Sequence, residues 1–275
     1  MFKIYDLNMK EITLPKGVMP LEIFVGSVSK NRVTEAVDGR PGVVDYGFNY
    51  TDRPVSLFLR IKAADAADFR LLRNEVFATF DVGSAFYVAE SDVPSRVLKV
   101  VVDESYIPDR LTEEYADFDI NCRTLDSVFW ESIYTTLELH DSGYSATAEK
   151  YGLVDNIDDE KVKYRFTESN FTVYNAGNVT IEPESMMLNI IVNAVQSTNN
   201  FTIRNKTTGE EIVLKRASTG SHFRMQGMVI GLGGITNIFR DTNRRFISLA
   251  PGDNQFEILN GTFEEIRFEF KYLYK

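Results

Sequence analysis

The chain has 275 residues, 44% of them hydrophobic, with 40 acidic against 30 basic side chains, two histidines, one cysteine and a formal net charge of -10. A chain of this length buries on the order of 70 to 75% of its unfolded surface, so it has room for two domains of ordinary size and needs neither disulfides nor metals to fold. The acidic balance argues against nonspecific nucleic-acid binding through phosphate neutralisation, and the lone Cys122 excludes an internal disulfide and suits a reducing compartment.

The opening "MFKIYDLNMK" lacks a basic patch followed by an apolar stretch, and no run of eighteen apolar residues occurs. The expectation is a soluble, uncleaved product without a membrane span. Further on, "VDGRPG" at 37–42 combines Gly39, Pro41 and Gly42, which favours a tight reversal between two strands. A phosphate-binding role for these glycines would need a helix start directly after them, and none follows.

From Val55, "VSLFLRIK" sets Val55, Leu57, Leu59 and Ile61 on one face, the period of a strand. In "ADAADFRLLRNEVFATF" the period changes: Phe69, Leu72, Val76 and Phe80 fall at helical spacing, with Asp65 or Asp68 placed to accept from the first free amides. The strand-like segments "AFYVAE", "RVLKVVVD" and "EYADFDINCR" follow. One helix on a sheet is therefore expected for the first domain. Cys122 follows Phe118 and Ile120 at period two, which points its thiol into the core.

The stretch from Asp141 to Tyr164 loses strand alternation and is rich in small and acidic residues, so a junction is expected over 141–164, between domains at 1–140 and 165–275. Its "DNIDDE" fails as a calcium loop, because Ile157 stands where an oxygen ligand belongs and no glycine follows at the sixth place. Beyond it come "FTVYNAGN", "MLNIIVNAV", "FTIRNKTTGEEIVLK" and "FRMQGMVIG", short β-branched or aromatic runs separated by Asn, Gly and Thr. "NKTTGEE" and the Asn260-Gly261 pair read as hairpin turns, the second as a type I′ turn. The last segment alternates Ile266, Phe268, Phe270, Tyr272 and Tyr274 against Glu265, Arg267, Glu269 and Lys271, and the whole half reads as a sandwich.

Catalytic groups are scarce. His140 and His222 lie in different expected domains, no CxxC or HExxH occurs, and nothing selects one carboxylate pair among the 40 acidic residues. No catalytic, cofactor or metal residue is therefore assigned. "GLGG" at 231–234 lacks βαβ context and reads as a loop or bulge, and Arg240, Arg244 and Arg245 read as a solvated or salt-bridged cluster. Six Asn-x-Thr sequons suit turns and strands as well as glycosylation, and Trp130 reads as interdomain packing rather than a sugar platform.

The order of these parts resembles the siphophage distal tail protein family. "VDGRPGVVDYGFNYTDRPVSLFLRIKAADAADFRLLRNEVFATF" and "RVLKVVVDESYIPDRLTEEYADFDINCRT" are similar to its N-terminal domain, and "VYNAGNVTIEPESMMLNI", "FTIRNKTTGEEIVLK" and "ISLAPGDNQFEI" to its C-terminal part. The resemblance implies a mainly β protein: an N-terminal sandwich or split-barrel-like domain with one α-helix, and a galectin-like C-terminal β-sandwich. It implies a non-enzymatic virion component at the distal end of a long non-contractile tail, assembled in the host cytoplasm. Six copies would form a ring joining the tail tube to the baseplate or tip, with tail-tip, tail-associated and receptor-binding proteins as partners and no cofactor, membrane or specific nucleic acid. The segment "DESYIPDRLTEEY" at 103–115 is then the expected arm toward the next subunit, with Tyr106, Ile107 and Leu111 as interface candidates. A monomeric carbohydrate-binding sandwich is the competing reading, and a tail-associated hydrolase a third.

Overall fold

The structure is a computed structural model that describes residues 1–81, 83–151, 157–235 and 237–275, with the side chains of 144–151 and of 159 outside the description. The expected acidic linker around Asp155–Glu160 thus lies in part outside the described residues. The chain divides into two compact units, Met1–Trp130 with Lys275, and Glu131–Tyr274.

The first unit contains β1 (Phe2–Tyr5), β2 (Val18–Val25), β3 (Ser29–Ala36), β4 (Val43–Thr51), β5 (Pro54–Lys62), α1 (Ala66–Thr79), β6 (Ala85–Glu90), β7 (Arg96–Val102), β8 (Asp109–Arg110) and β9 (Tyr115–Thr124), and the short β10 (Trp130–Ser132) crosses its boundary. Its antiparallel sheet runs β1-β6-β7-β9-β5-β2, with β8 added to β9. The sheet curls until its edge strands approach, so that the amino group of Met1 on β1's side lies 3.9 Å from the Glu22 carboxylate on β2.

As the alternation predicts, β5 turns Val55, Leu57, Leu59 and Ile61 inward, and β9 does the same with Ala116, Phe118, Ile120 and Cys122. Helix α1 lays Phe69, Leu72 and Val76 on this face. It starts at Asp65, whose Oδ1 accepts from the amides of Ala67 and Asp68 at 2.8 Å each, while Asp68 Oδ2 reaches back to the amide of Ala64 at 2.7 Å. Both candidate acids therefore serve the helix start, one as the cap and one by bracing the residue before it.

The second unit adds α2 (Thr136–Tyr151), β11 (Arg165–Phe166), β12 (Asn170–Asn175), β13 (Leu188–Ser197), β14 (Phe201–Asn205), β15 (Glu210–Leu214), β16 (Ser218–Gln226), β17 (Val229–Leu232), β18 (Gly252–Leu259), β19 (Glu265–Phe270) and β20 (Leu273–Tyr274). Two antiparallel sheets, β11-β19-β13-β16-β17 and β12-β18-β14-β15, supply the layers of a sandwich. Aromatic rings join them: Phe268 of β19 meets Phe256 of β18 at 4.8 Å between centroids, and Phe166 of β11 stacks on Phe171 of β12 at 4.3 Å.

Two features differ from the sequence pattern. Helix α2 begins in the expected first domain and enters the expected junction, breaking at Gly143 (φ 74°). Its start is a capping box, with Glu138 Oε2 accepting from the Thr135 amide at 2.7 Å and the Glu138 amide donating to Thr135 Oγ1 at 3.4 Å. The Asn260-Gly261 turn does not close a hairpin. It joins β18 to β19, which belong to opposite sheets, and only Asn260 of the pair has positive φ (60°), so the type I′ expectation fails. Glycine is required at 261 by crowding instead: a Cβ there would sit 2.6 Å from the Gln196 carbonyl oxygen. By contrast, "NKTTGEE" forms the expected β14–β15 hairpin, with Gly209 at φ 75°.

Leu57→Ala, at a fully buried position of β5, lowers unfolding free energy by about 2–5 kcal/mol in urea titrations, and Asp65→Ala by about 1 kcal/mol. Burial and the nearby Asp103 charge push the Cys122 thiol up to about 12. At pH 8 roughly one thiol in ten thousand is then ionised, and alkylation in native buffer waits on unfolding.

Candidate functional site

Among the described residues the histidines and the cysteine lie apart. Both histidines fall in the second unit rather than in separate halves, His140 Nδ1 lying 3.5 Å from the Val162 carbonyl and His222 being exposed. Cys122 is buried with Sγ 3.8 Å from the Ile120 carbonyl. Among the described residues no group of three or more His, Cys, Asp or Glu side chains is placed to hold a metal, and no helix is long and apolar enough to cross a membrane. Trp130 is 8% exposed, which leaves no free face for a sugar ring. Arg240, Arg244 and Arg245 are exposed, and Gly233 of the glycine cluster sits in a turn at φ 58°.

What the first unit offers instead is unpartnered surface. The segment 103–115 runs beside α1 and is pinned there by Tyr106. The Tyr106 hydroxyl lies 3.2 Å from the carbonyls of both Val76 and Phe80, and its ring meets Phe77 edge-on at 5.4 Å and stacks on Phe118 at 6.0 Å. Burial raises its phenol well above the ordinary range. The Arg110 guanidinium lies 4.9 Å over the Phe69 ring at the other end of the helix. Of the three interface candidates, Tyr106 thus packs inside its own unit. Ile107 and Leu111 point outward, 83% and 59% exposed.

A second surface lies in β3 and β4, which among the described residues pair with each other alone. Every residue of β3 is exposed, and Val33, Val43, Tyr46, Phe48 and Tyr50 are large apolar groups left in solvent. The sequence carries the signal for this. A strand reading "SKNRVTEA" has only Val33 and Ala36 to bury, and they do not share a face of alternating apolar residues. Val33 stands opposite Tyr46 and Gly47 in a bulge, Gly47 taking φ 103°.

The root of this hairpin is built firmly. Arg53, 5% exposed, donates from Nε to the Gly26 carbonyl at 2.7 Å and from Nη1 to the Val128 carbonyl at 3.1 Å, while its amide donates to Thr124 Oγ1 at 2.9 Å. Desolvation lowers the Arg53 guanidinium from its usual range, but a guanidinium stays charged at any working pH. Periodicity does not reveal this clamp, because a single arginine carries no pattern.

The outward face of the sheet is polar. Arg60 grips Asp117 with two hydrogen bonds of 2.6 and 2.7 Å, and this holds the Asp117 carboxyl below its ordinary range. The pair's contribution is present above the unfolded carboxyl value of about 3.9 and is lost as pH falls through the lower folded one. Nearby, Asp52, Glu90, Asp103 and Glu104 border an open depression with Arg123, which pairs Asp103 at 3.0 Å.

Tyr106→Ala frees the segment 103–115, seen as faster amide exchange there and at the C-terminal turn of α1, with a loss of about 1–3 kcal/mol in stability. Ile107→Ser, at an exposed position, changes stability by less than about 0.5 kcal/mol.

Residues 7–122 match the family model described as phage tail protein RIFT-related domain. The curated protein sequences contain no match. Among solved structures, the SPP1 Dit protein, titled a paradigm of the hub adsorption apparatus in Gram-positive-infecting phages, superposes with a TM-score of 0.66 at 12% identity, covering 99% of this chain and 100% of that one. Chains of the phage p2 baseplate in its activated conformation, with Sr and with Ca, align at 11% identity over 98% of this chain and 97% of theirs with a TM-score of 0.40. Residues 7–122 therefore match the phage tail RIFT-related domain, and the chain along its length has the fold of SPP1 Dit.

Proposed function

We propose that this protein is a structural hub at the distal end of a long non-contractile phage tail. Six copies close a ring through their first units and join the tail tube to the baseplate or tip. The observation that carries this reading is the correspondence of fold along both whole chains with SPP1 Dit, beside the phage tail family match in the first unit. The second unit, a galectin-like sandwich in this reading, turns outward to dock tail-tip, tail-associated or receptor-binding proteins. Assembly takes place in the host cytoplasm, and the product is part of the virion.

The role is non-enzymatic: the family and the fold are those of structural tail proteins. A ring needs a heterologous contact repeated about one axis, and the exposed Ile107 and Leu111 belong to that contact, with Tyr106 holding their segment in place. Carboxylates on the outward sheet face suit a lumen through which DNA passes without adhering, since phosphates are repelled there. The competing reading, a monomeric carbohydrate-binding module, loses its aromatic platform with the burial of Trp130.

Light scattering on the purified chain, with negative-stain images of the same peak, tests the proposal. The expected result is a particle of six times the 31.3 kDa chain mass, about 188 kDa, with a central hole. A monomer that binds cell-wall glycans would replace the hub reading with the module.

A further inference from the structure

The segment "FRDTNRRF" at 239–246 gathers cations that the proposed role leaves unused. It runs along the outer edge of β15: Thr242 bridges Leu214, the Lys215 amide donates to the Asp241 carbonyl at 2.8 Å, and the Asn243 amide donates to the Val213 carbonyl at 3.0 Å. Phe239 and Phe246 stack with 5.4 Å between centroids, which closes the segment into a loop and brings Arg240 near Arg245. The buried Thr242 braces this loop, its hydroxyl donating to the Phe239 carbonyl at 2.8 Å and accepting from the Arg244 amide at 3.0 Å. Arg244 is held there at φ 60°.

With Lys215 and Arg216 the loop assembles five cations against one carboxylate, Asp241, in a chain of net charge -10. Excess acid should neutralise such a cluster, and elsewhere in this unit it does: Arg165, Arg204 and Arg267 each pair with a carboxylate. Around the loop the acids are engaged already. Asp241 faces Arg216 at 3.5 Å, Glu211 bonds Arg204 at 2.8 Å, and Glu210 accepts from the amide and the hydroxyl of Ser248 at 2.7 and 2.6 Å. Among the described residues, the side chains of Lys215, Arg240, Arg244 and Arg245 make no hydrogen bond or ion pair, and all four are exposed.

We infer that this loop binds a linear polyanion joined by phosphodiester groups and lacking bases, of the polyol-phosphate kind. Arginine forks match phosphate oxygens two at a time, and three of them on a braced loop lose little freedom on contact. A nucleic acid is held by stacking as well as by charge. Among the described residues the second unit leaves no large aromatic ring exposed, and Phe239 and Phe246 are occupied by each other. An acidic peptide would bring apolar anchors to bury, and within 239–246 no apolar residue is exposed to receive them. What remains is recognition of phosphate charge carried along a chain. The inference concerns the second unit alone and does not need six copies to close a ring.

The test titrates poly(glycerol phosphate) into the full chain by calorimetry, beside two variants. Arg240→Gln/Arg244→Gln/Arg245→Gln removes the charges, and Arg240→Lys/Arg244→Lys/Arg245→Lys keeps them without the fork. Polyglutamate and single-stranded DNA are the comparison polymers, with melting and light scattering as controls on fold and mass. The expected result is binding that weakens roughly 20- to 100-fold as salt rises from about 50 to about 200 mM, the loss for about three to five phosphate contacts. The glutamine variant loses more than about tenfold in affinity, and the lysine variant about two- to fivefold. Polyglutamate bound as tightly overturns the preference for phosphate, and DNA bound more tightly overturns the polymer class. A folded glutamine variant that binds like the wild type, or a wild type that binds nothing at the lowest salt, overturns the site. Binding is read per chain, so a monomeric wild type that binds upholds this site while failing the hub proposal.

Discussion

Everything in the first unit depends on how β5 is buried. It is paired on both sides, by β2 and β9, and its inward side chains from Val55 to Ile61 are covered by α1. A strand so enclosed cannot slip by one residue without turning four apolar side chains to solvent. Its register consequently fixes where its ends lie, and each end anchors a neighbouring segment. Arg53 and the hairpin root stand before its first residue, and Ala63, bonded to Glu114, follows its last.

In the second unit the corresponding constraint is polar groups buried among rings. Tyr164 and Tyr272 are fully buried, and the Tyr164 hydroxyl donates to the Tyr174 carbonyl at 2.8 Å. Its proton being used there, the Tyr272 hydroxyl donates to the Tyr164 oxygen. Burial drives the Tyr272 phenol far above its usual range, so this pair stays neutral at all ordinary pH. Thr136 ties α2 to the same strand region, its hydroxyl donating to the Phe268 carbonyl at 2.9 Å and accepting from the Phe270 amide at 3.1 Å. Helix and closing strands are therefore one cooperative body, with no polar atom among these contacts left to seek solvent.

In both units the most perturbed titratable groups among the described residues, Tyr106, Cys122 and Tyr272, are shifted chiefly by burial. The first unit presents a rooted hairpin, the exposed Ile107 and Leu111, and a sheet face of paired charges such as Arg60 with Asp117.

By itself the sequence determined the elements whose signal is local. Alternation in "VSLFLRIK" and "EYADFDINCR", the 3.6 period through Phe69, Leu72, Val76 and Phe80, and the aspartates before it were enough to place β5, β9 and α1, and the Val37–Gly42 reversal between β3 and β4 was legible from its glycines and proline. The collinear order of such parts carried the family resemblance. Helix α2 was harder to read, because its capping box is followed by Gly143 and by residues without an apolar stripe. Only the tertiary structure decided that Asn260-Gly261 crosses between sheets and that Tyr106 packs inward while Ile107 and Leu111 stay bare. Periodicity tells which residues seek burial; what lies across from each of them is set by contacts distant in sequence, and exposure is what remains when those contacts have been made.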